Sequence, residues 1–202
     1  MSSTLKSLLI AASLISAPAA FAASPVTPVS ASNNGLVAID GADLSILFDG
    51  YIPPEGTPYQ TDSVSWFNQV GSSGVTLDFD FGQLYTLSDV LIGVDHNDFY
   101  QVQVSLDGSA WNTLFTNLAF EGQSNFGSEI ISSVAGDPEY QATIDFPTTV
   151  ARYARIYTVG GDSAFSVSEV SFSGVAVVPE PETWALLIAG IGLIAAVAYR
   201  RS

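Results

Sequence analysis

The chain has 202 residues, with 20 acidic side chains against 5 basic ones, a formal net charge of −15 and no cysteine. So acidic a chain repels nucleic acid and anionic lipid, which excludes both as partners recruited through charge. Without cysteine there are no disulfides and no thiol chemistry, so stability must come from a hydrophobic core, with a metal ion as a further source.

Residues 1–22 read as an export signal. Lys6 is the one charged side chain there, Leu8 to Ile15 is mostly apolar, and Ala20-Phe21-Ala22 is an A-x-A site. Cleavage is expected before Ala23. Residues 23–32, which include Pro25 and Pro28, read as a short linker. One folded domain is then expected over 33–174, a length that suits a single core. Charge is more lopsided there, because Lys6, Arg200 and Arg201 all lie in the ends, and only Arg152 and Arg155 remain to face the acids.

The domain shows short period-two runs and no long stretch of helical periodicity. Val75, Leu77, Phe79 and Phe81 alternate with Thr76, Asp78 and Asp80, which predicts a half-buried strand. Tyr100, Val102, Val104 and Leu106 alternate in the same way with Gln101, Gln103 and Ser105. Asp107-Gly108 is a turn signal, and 111–115 reads as the returning strand. Further strands are expected at 87–94, 141–146, 152–159 and 165–172. Many short strands between turns predict an antiparallel sandwich or barrel. The long loops 51–65 and 117–140 are where a rigid β scaffold places binding.

Taken in order, Asp49-Gly50, Leu77-Asp78-Phe79-Asp80-Phe81-Gly82, Ser105-Leu106-Asp107-Gly108-Ser109-Ala110-Trp111, Ala151-Arg152-Tyr153-Ala154-Arg155-Ile156 and Ser168-Glu169-Val170 resemble the discoidin-like domains of the coagulation-factor C-terminal type. The resemblance spans most of 47–172. It implies an all-β, galactose-binding-like jelly-roll β-sandwich that binds carbohydrates or other surface ligands without catalysis. It also implies a structural calcium ion near the ends of the domain, held by the acid of the last strand and the aspartate of the early Asp-Gly, here Glu169 and Asp49. From the residues alone, Glu169 shares the apolar face of Phe165 and Val167 and needs a cation partner. Calcium suits an acidic exported domain; an ion pair with Arg152 or Arg155, or exposure at a sheet end, would serve as well.

The candidate ligand site is His96, Asn97, Asp98 and Phe99, a polar cluster between two strands. Imidazole and amide groups can bond sugar hydroxyls, and Phe99 can stack on a ring. A solvated loop whose Asx side chains cap turns explains the same residues. Arg155 shares a strand face with Tyr153 and Tyr157 and is expected to pair with an acid in a structural role. Asp78 and Asp80 sit two apart on one strand face, so the wet side of a strand accounts for them without a glycosidase pair. There is no Gly-x-Ser-x-Gly and only one histidine, and no enzyme is expected. Trp66 and Trp111 are expected in the core.

The tail opens with Val178-Pro179-Glu180-Pro181, runs uncharged from Trp184 to Tyr199, and ends in Arg200-Arg201-Ser202. The prolines stiffen the entry, and the aromatic and basic residues fall where membrane interfaces place them. Sixteen apolar residues, helped by Thr183 and by snorkelling arginines, just cross a thin bilayer as a helix over 184–199. Pro179-Glu180-Pro181, the apolar run and Arg200-Arg201 together resemble the PEP-CTERM sorting signal of Gram-negative bacteria, at 175–202. That resemblance implies recognition and removal of the tail by exosortase and delivery to the surface or the extracellular matrix. The function expected is carbohydrate binding, to an exopolysaccharide; a structural matrix or biofilm protein without a ligand pocket is the alternative.

Overall fold

The structure is a computed structural model that describes residues 22–34, 43–71, 74–118 and 126–177, and in the tail 187, 190–192, 194 and 198–200. The expected export signal before residue 22 lies outside the described residues, as do Pro179, Glu180, Pro181 and Arg201.

Nine strands follow one another: β1 (Ser24–Val26), β2 (Ser30–Asn33), β3 (Val64–Phe67), β4 (Leu77–Asp95), β5 (Phe99–Ser105), β6 (Asn112–Asn117), β7 (Ser128–Ser132), β8 (Thr149–Gly160) and β9 (Ala164–Ala176). All pair antiparallel through one hydrogen-bonded path, β1-β9-β4-β8-β5-β6, with β2 and β7 on β4 and β3 on β9. The long strand β4 divides that path into two layers. Its first part, Leu77–Asp80, pairs with β2 and with Tyr153–Ile156 of β8. Its last part, Leu91–Asp95, pairs with β7, and Asp89–Val94 pairs with β9. Between them the register with β8 breaks from Asp80 to Tyr85, and Gly82 has φ +77°, which a glycine adopts without strain. The bend closes one sheet over itself into a β-sandwich, the expected fold class.

The core fills the space between the layers. Leu77, Phe79 and Phe81 of β4, Val102 and Val104 of β5, Ile156 of β8 and Phe165, Val167 and Phe172 of β9 are all buried, and Phe81 meets Phe172 edge-on at 5.5 Å. The apolar residues of the alternations at 75–81 and 100–104 therefore face inward as expected, whereas Leu106, expected with them, is exposed past the end of β5, and Ser105 and Thr76, expected on the wet faces, are buried. Every buried apolar residue among those described lies between Val26 and Phe172, so the segment 23–178 contains the whole described core and has what a domain needs to fold alone.

Several expected boundaries are corrected. The segment 23–32 is not a linker: it supplies β1, which adds to the edge of β9, and the start of β2, which adds to β4. Buried Val26 anchors it, and Pro25 is tolerated because β1 is an edge strand. The two strands expected at 75–81 and 87–94 are one continuous strand. Residues 141–146 hold a short 3-10 turn, Ala142–Ile144, instead of a strand. β7 lies inside the segment expected as the loop 117–140 and β3 begins inside the one expected at 51–65, because four or five residues are too few to show a period. Trp66 is a core residue as expected; Trp111 is half-buried on the outer face. In the tail, Leu187, Gly190, Ile191, Gly192, Ile194, Ala198 and Tyr199 are helical; no described helix is long and apolar enough to cross a membrane.

Candidate functional site

One end of the sandwich gathers the loops. Asn68 donates its N–H to Ser163 O at 3.0 Å and Gly71 to Thr158 O at 2.7 Å, joining the β3–β4 loop to the β8–β9 turn. His96 donates its N–H to Gly127 O at 3.0 Å, and Gly56 and Thr57 exchange backbone bonds with Ser128. The segment 127–128 thus borders His96 on one side and the loop expected at 51–65 on the other.

Within that cluster the four predicted residues divide. Asp98 is fully buried: its Oδ1 accepts from the N–H of Asp162 at 3.1 Å and its Oδ2 from the hydroxyl of Tyr100 at 3.3 Å. Burial, opposed by the Asp162 N–H and reinforced by the charges of Asp95 and Asp162, pushes its carboxyl up to about 7. Asp98 therefore builds the loop end from below and is corrected from a direct ligand contact to a supporting residue. Gly161 at φ +137° packs so closely on Asp98 that no side chain fits there. Asn97 donates Nδ2 to Asp162 Oδ2 at 2.9 Å, while its buried Oδ1 has no hydrogen-bond partner. His96 Nδ1 lies 3.3 Å from Asp95 Oδ1. Phe99 keeps 37% of its surface exposed and leans over Gly160, where the missing side chain makes room for the ring. Phe67, 41% exposed and edge-on to Tyr59 at 6.4 Å, adds a second apolar surface beyond the β8–β9 turn.

Asp95, Asn117 and Glu129 pack together beneath His96, all three buried, with no room for a water molecule between them. Sequence reading missed Asn117 and Glu129. Asn117 accepts the N–H of Tyr100 through Oδ1 at 3.1 Å. Glu129 is 2% exposed between Ser128 and the apolar pair Ile130-Ile131, and a carboxylate inside an apolar run was the signal available.

Asp49 and Glu169 also meet. Both line a cavity of about 240 Å³ whose other walls come from Pro25–Pro28, Phe48, Gly50, Val170 and Ser171. Glu169 is 2% exposed, and its Oε2 has no hydrogen-bond partner. Burial first, then the charge of Asp49, pushes its carboxyl up to about 7 against the backbone N–H of Gly50. Neither arginine can neutralise it. Arg155 makes a bidentate pair with Asp78 at 2.7 and 2.8 Å and stacks on Trp111 at 4.0 Å, and Arg152 makes one with Asp80 at 3.0 Å. The expected structural role of Arg155 is what the geometry shows. Among the described residues no three or more His, Asp or Glu converge on one metal position, so protein carboxylates can offer a cation at Asp49 and Glu169 two ligands at most from this set.

The fold defined by these strands is that of CBM32 and other discoidin-like modules. It is similar to the truncated AlyQ with CBM32 and alginate lyase domains, with a TM-score of 0.50, 17% identity and 77% of this chain covered. The match takes 34% of that chain, so this protein spans about a third of it. Two further similar structures are chitosan-binding module 1 from a chitosanase/glucanase of Paenibacillus sp. IK-5 (TM-score 0.46, 21% identity, 73% of this chain and 96% of that one) and CBM32-1 from a family 31 glycoside hydrolase of Clostridium perfringens (0.46, 16%, 73% and 96%). At such identities the likeness is one of fold. Residues 177–202 match the model of the PEP-CTERM protein-sorting motif, which marks an exported protein directed to the cell envelope or surface. No curated protein matches the chain.

Proposed function

We propose that this is an exported, non-catalytic carbohydrate-binding protein of the surface or extracellular matrix of a Gram-negative bacterium. Its tail holds it transiently in the inner membrane until exosortase and the secretion machinery process it, and its loop end takes an extracellular polysaccharide. One observation carries the reading: Phe99 presents an exposed aromatic face beside His96 and Asn97, where five loop segments meet. A pyranose offers an apolar C–H face and a rim of hydroxyls; the ring takes the first, and the imidazole and the second Nδ2 hydrogen of Asn97 take the second. Asp98 fixes the loops from below. Asp78 and Asp80 are each tied to an arginine, which leaves that pair unsuited to flank and cleave a glycosidic bond.

In the same reading Asp49 and Glu169 hold a structural calcium ion. The buried, unpartnered Oε2 of Glu169, a residue that lines one cavity with Asp49, supports it, since a buried carboxylate without a cation is costly. Calcium accepts such an irregular oxygen set, completed by backbone carbonyls and water.

The test is a glycan array on residues 23–178, with and without calcium, repeated with Phe99→Ala. A saturable sugar ligand whose affinity falls about tenfold in the variant, with the melting temperature nearly unchanged, is the expected result. Uniform silence favours a structural matrix protein without a ligand pocket.

A further inference from the structure

The folded chain enters and leaves the sandwich at the end away from His96. β9 runs from Ala164, beside the loop end, to Ala176, about 40 Å further along the strand. β1 pairs antiparallel with the last part of β9, so Ser24 lies opposite Gly174 and the chain comes in there. Val177 follows β9 directly, donates its N–H to Leu84 O at 2.9 Å and opens the sorting motif at 177–202. Six residues separate it from Trp184, where the uncharged run begins, a link of at most about 24 Å.

Around that exit the surface is aliphatic. Val29, Leu84, Val150 and Val177 are all exposed, Val29 by 69%. They are neighbours. A Cβ on Gly82 would stand 3.1 Å from the Val29 side chain, Leu84 and Val177 share a backbone bond, and Val150 pairs across the ladder with Thr86. Beside them Asp80 and Arg152 pair bidentately at 3.0 Å, so on a chain of formal net charge −15 this rim gains no net charge from them. Apolar side chains scattered singly over a surface need no explanation. Four gathered where the chain runs on toward an apolar segment do.

Resting on the reading that the tail is held in a membrane, we infer that this rim docks on the bilayer. The four aliphatic side chains enter the headgroup layer of zwitterionic lipid while the tail is inserted, and the His96 end points outward. Each aliphatic group gains by leaving water. The short link supplies the rest: it holds the rim close to the bilayer, at an effective concentration where a contact too weak to hold a free domain is occupied. The acids elsewhere on the surface oppose anionic lipid, which sets the lipid class. Removal of the tail takes away the link, and the domain then leaves the membrane.

The chain lacks cysteine, so a single introduced cysteine can carry a fluorescent label. Residues 23–202 are reconstituted in phosphatidylcholine vesicles that contain brominated lipid, with the label at Leu84→Cys, Val150→Cys or Val159→Cys. Val150 and Val159 stand on one strand, 44% and 40% exposed, about 30 Å apart. The labels at positions 84 and 150 are expected to be quenched several-fold more than the one at 159. Val29→Asp should cut the quenching at 150 several-fold while the melting temperature of residues 23–178 holds. Residues 23–178 with the same labels should show none at the same lipid concentration. Equal quenching at 150 and 159 in vesicle-bound protein overturns the docking and leaves the anchored tail standing. Protein that does not float with the vesicles overturns both. A dimer of residues 23–178 in lipid-free buffer that Val29→Asp dissolves would give the rim to a second copy, and the inference falls.

Discussion

Glu169→Gln separates a calcium site from general charge screening. The wild-type carboxyl is buried beside Asp49 and pushed up to about 7, from an ordinary value of 4.5. A carboxyl raised in the folded state favours folding while it is protonated, so its contribution is present below about pH 4.5 and is lost as pH climbs through about 7. Keeping it as an anion at pH 8 costs about 3 kcal/mol without a cation. Calcium bound only to the folded state returns about 2.7 kcal/mol at a hundredfold excess over its dissociation constant. For a domain of this size that is about 8 °C in melting temperature. Three results are expected by calorimetry on residues 23–178. At pH 8 without calcium, Glu169→Gln melts several degrees above wild type. Near pH 5 the two converge. Calcium raises the wild type more than magnesium does and leaves the variant where it was. Asp98, also pushed up to about 7 by burial, keeps part of the pH slope in the variant. A calcium response that persists in Glu169→Gln would refute the site, because screening survives the mutation and a shared ion does not.

Two further outcomes are expected. Replacing Pro179 and Pro181 with alanine should leave an uncleaved, membrane-held precursor; normal-sized protein outside the cell, seen by immunoblot, would count against exosortase processing. Gly161→Ala should cost about 2 kcal/mol of stability by denaturant titration, since it forces φ +137° on a side chain and drives a methyl into Asp98; an unchanged midpoint would mean that the β8–β9 turn and Asp98 are not packed as described.

The sequence by itself determined the class of fold and the address. Alternation at 75–81 and 100–106 is a property of neighbouring residues, and so are the Asp107-Gly108 turn and the order Pro-Glu-Pro, apolar run, Arg-Arg. Each is set by local periodicity or by a fixed linear motif, so each can be read without contacts. It also paired Asp49 with Glu169 by resemblance, and both residues line one cavity. Only the tertiary structure decided what depends on residues far apart. Alternation cannot tell one bent 19-residue strand from two, because the bend at Gly82 is chosen by pairing with β8 and β9. β1 looks like a proline-bearing linker until β9 offers it an edge. Asp98 reads as one more loop polar group, and its burial follows from Tyr100 and Asp162, the latter 64 residues away. Glu129 is buried only because β7 pairs with β4, against Val94. Charge, burial and pairing partners are long-range quantities, and a site made of them becomes visible only when the chain has closed on itself.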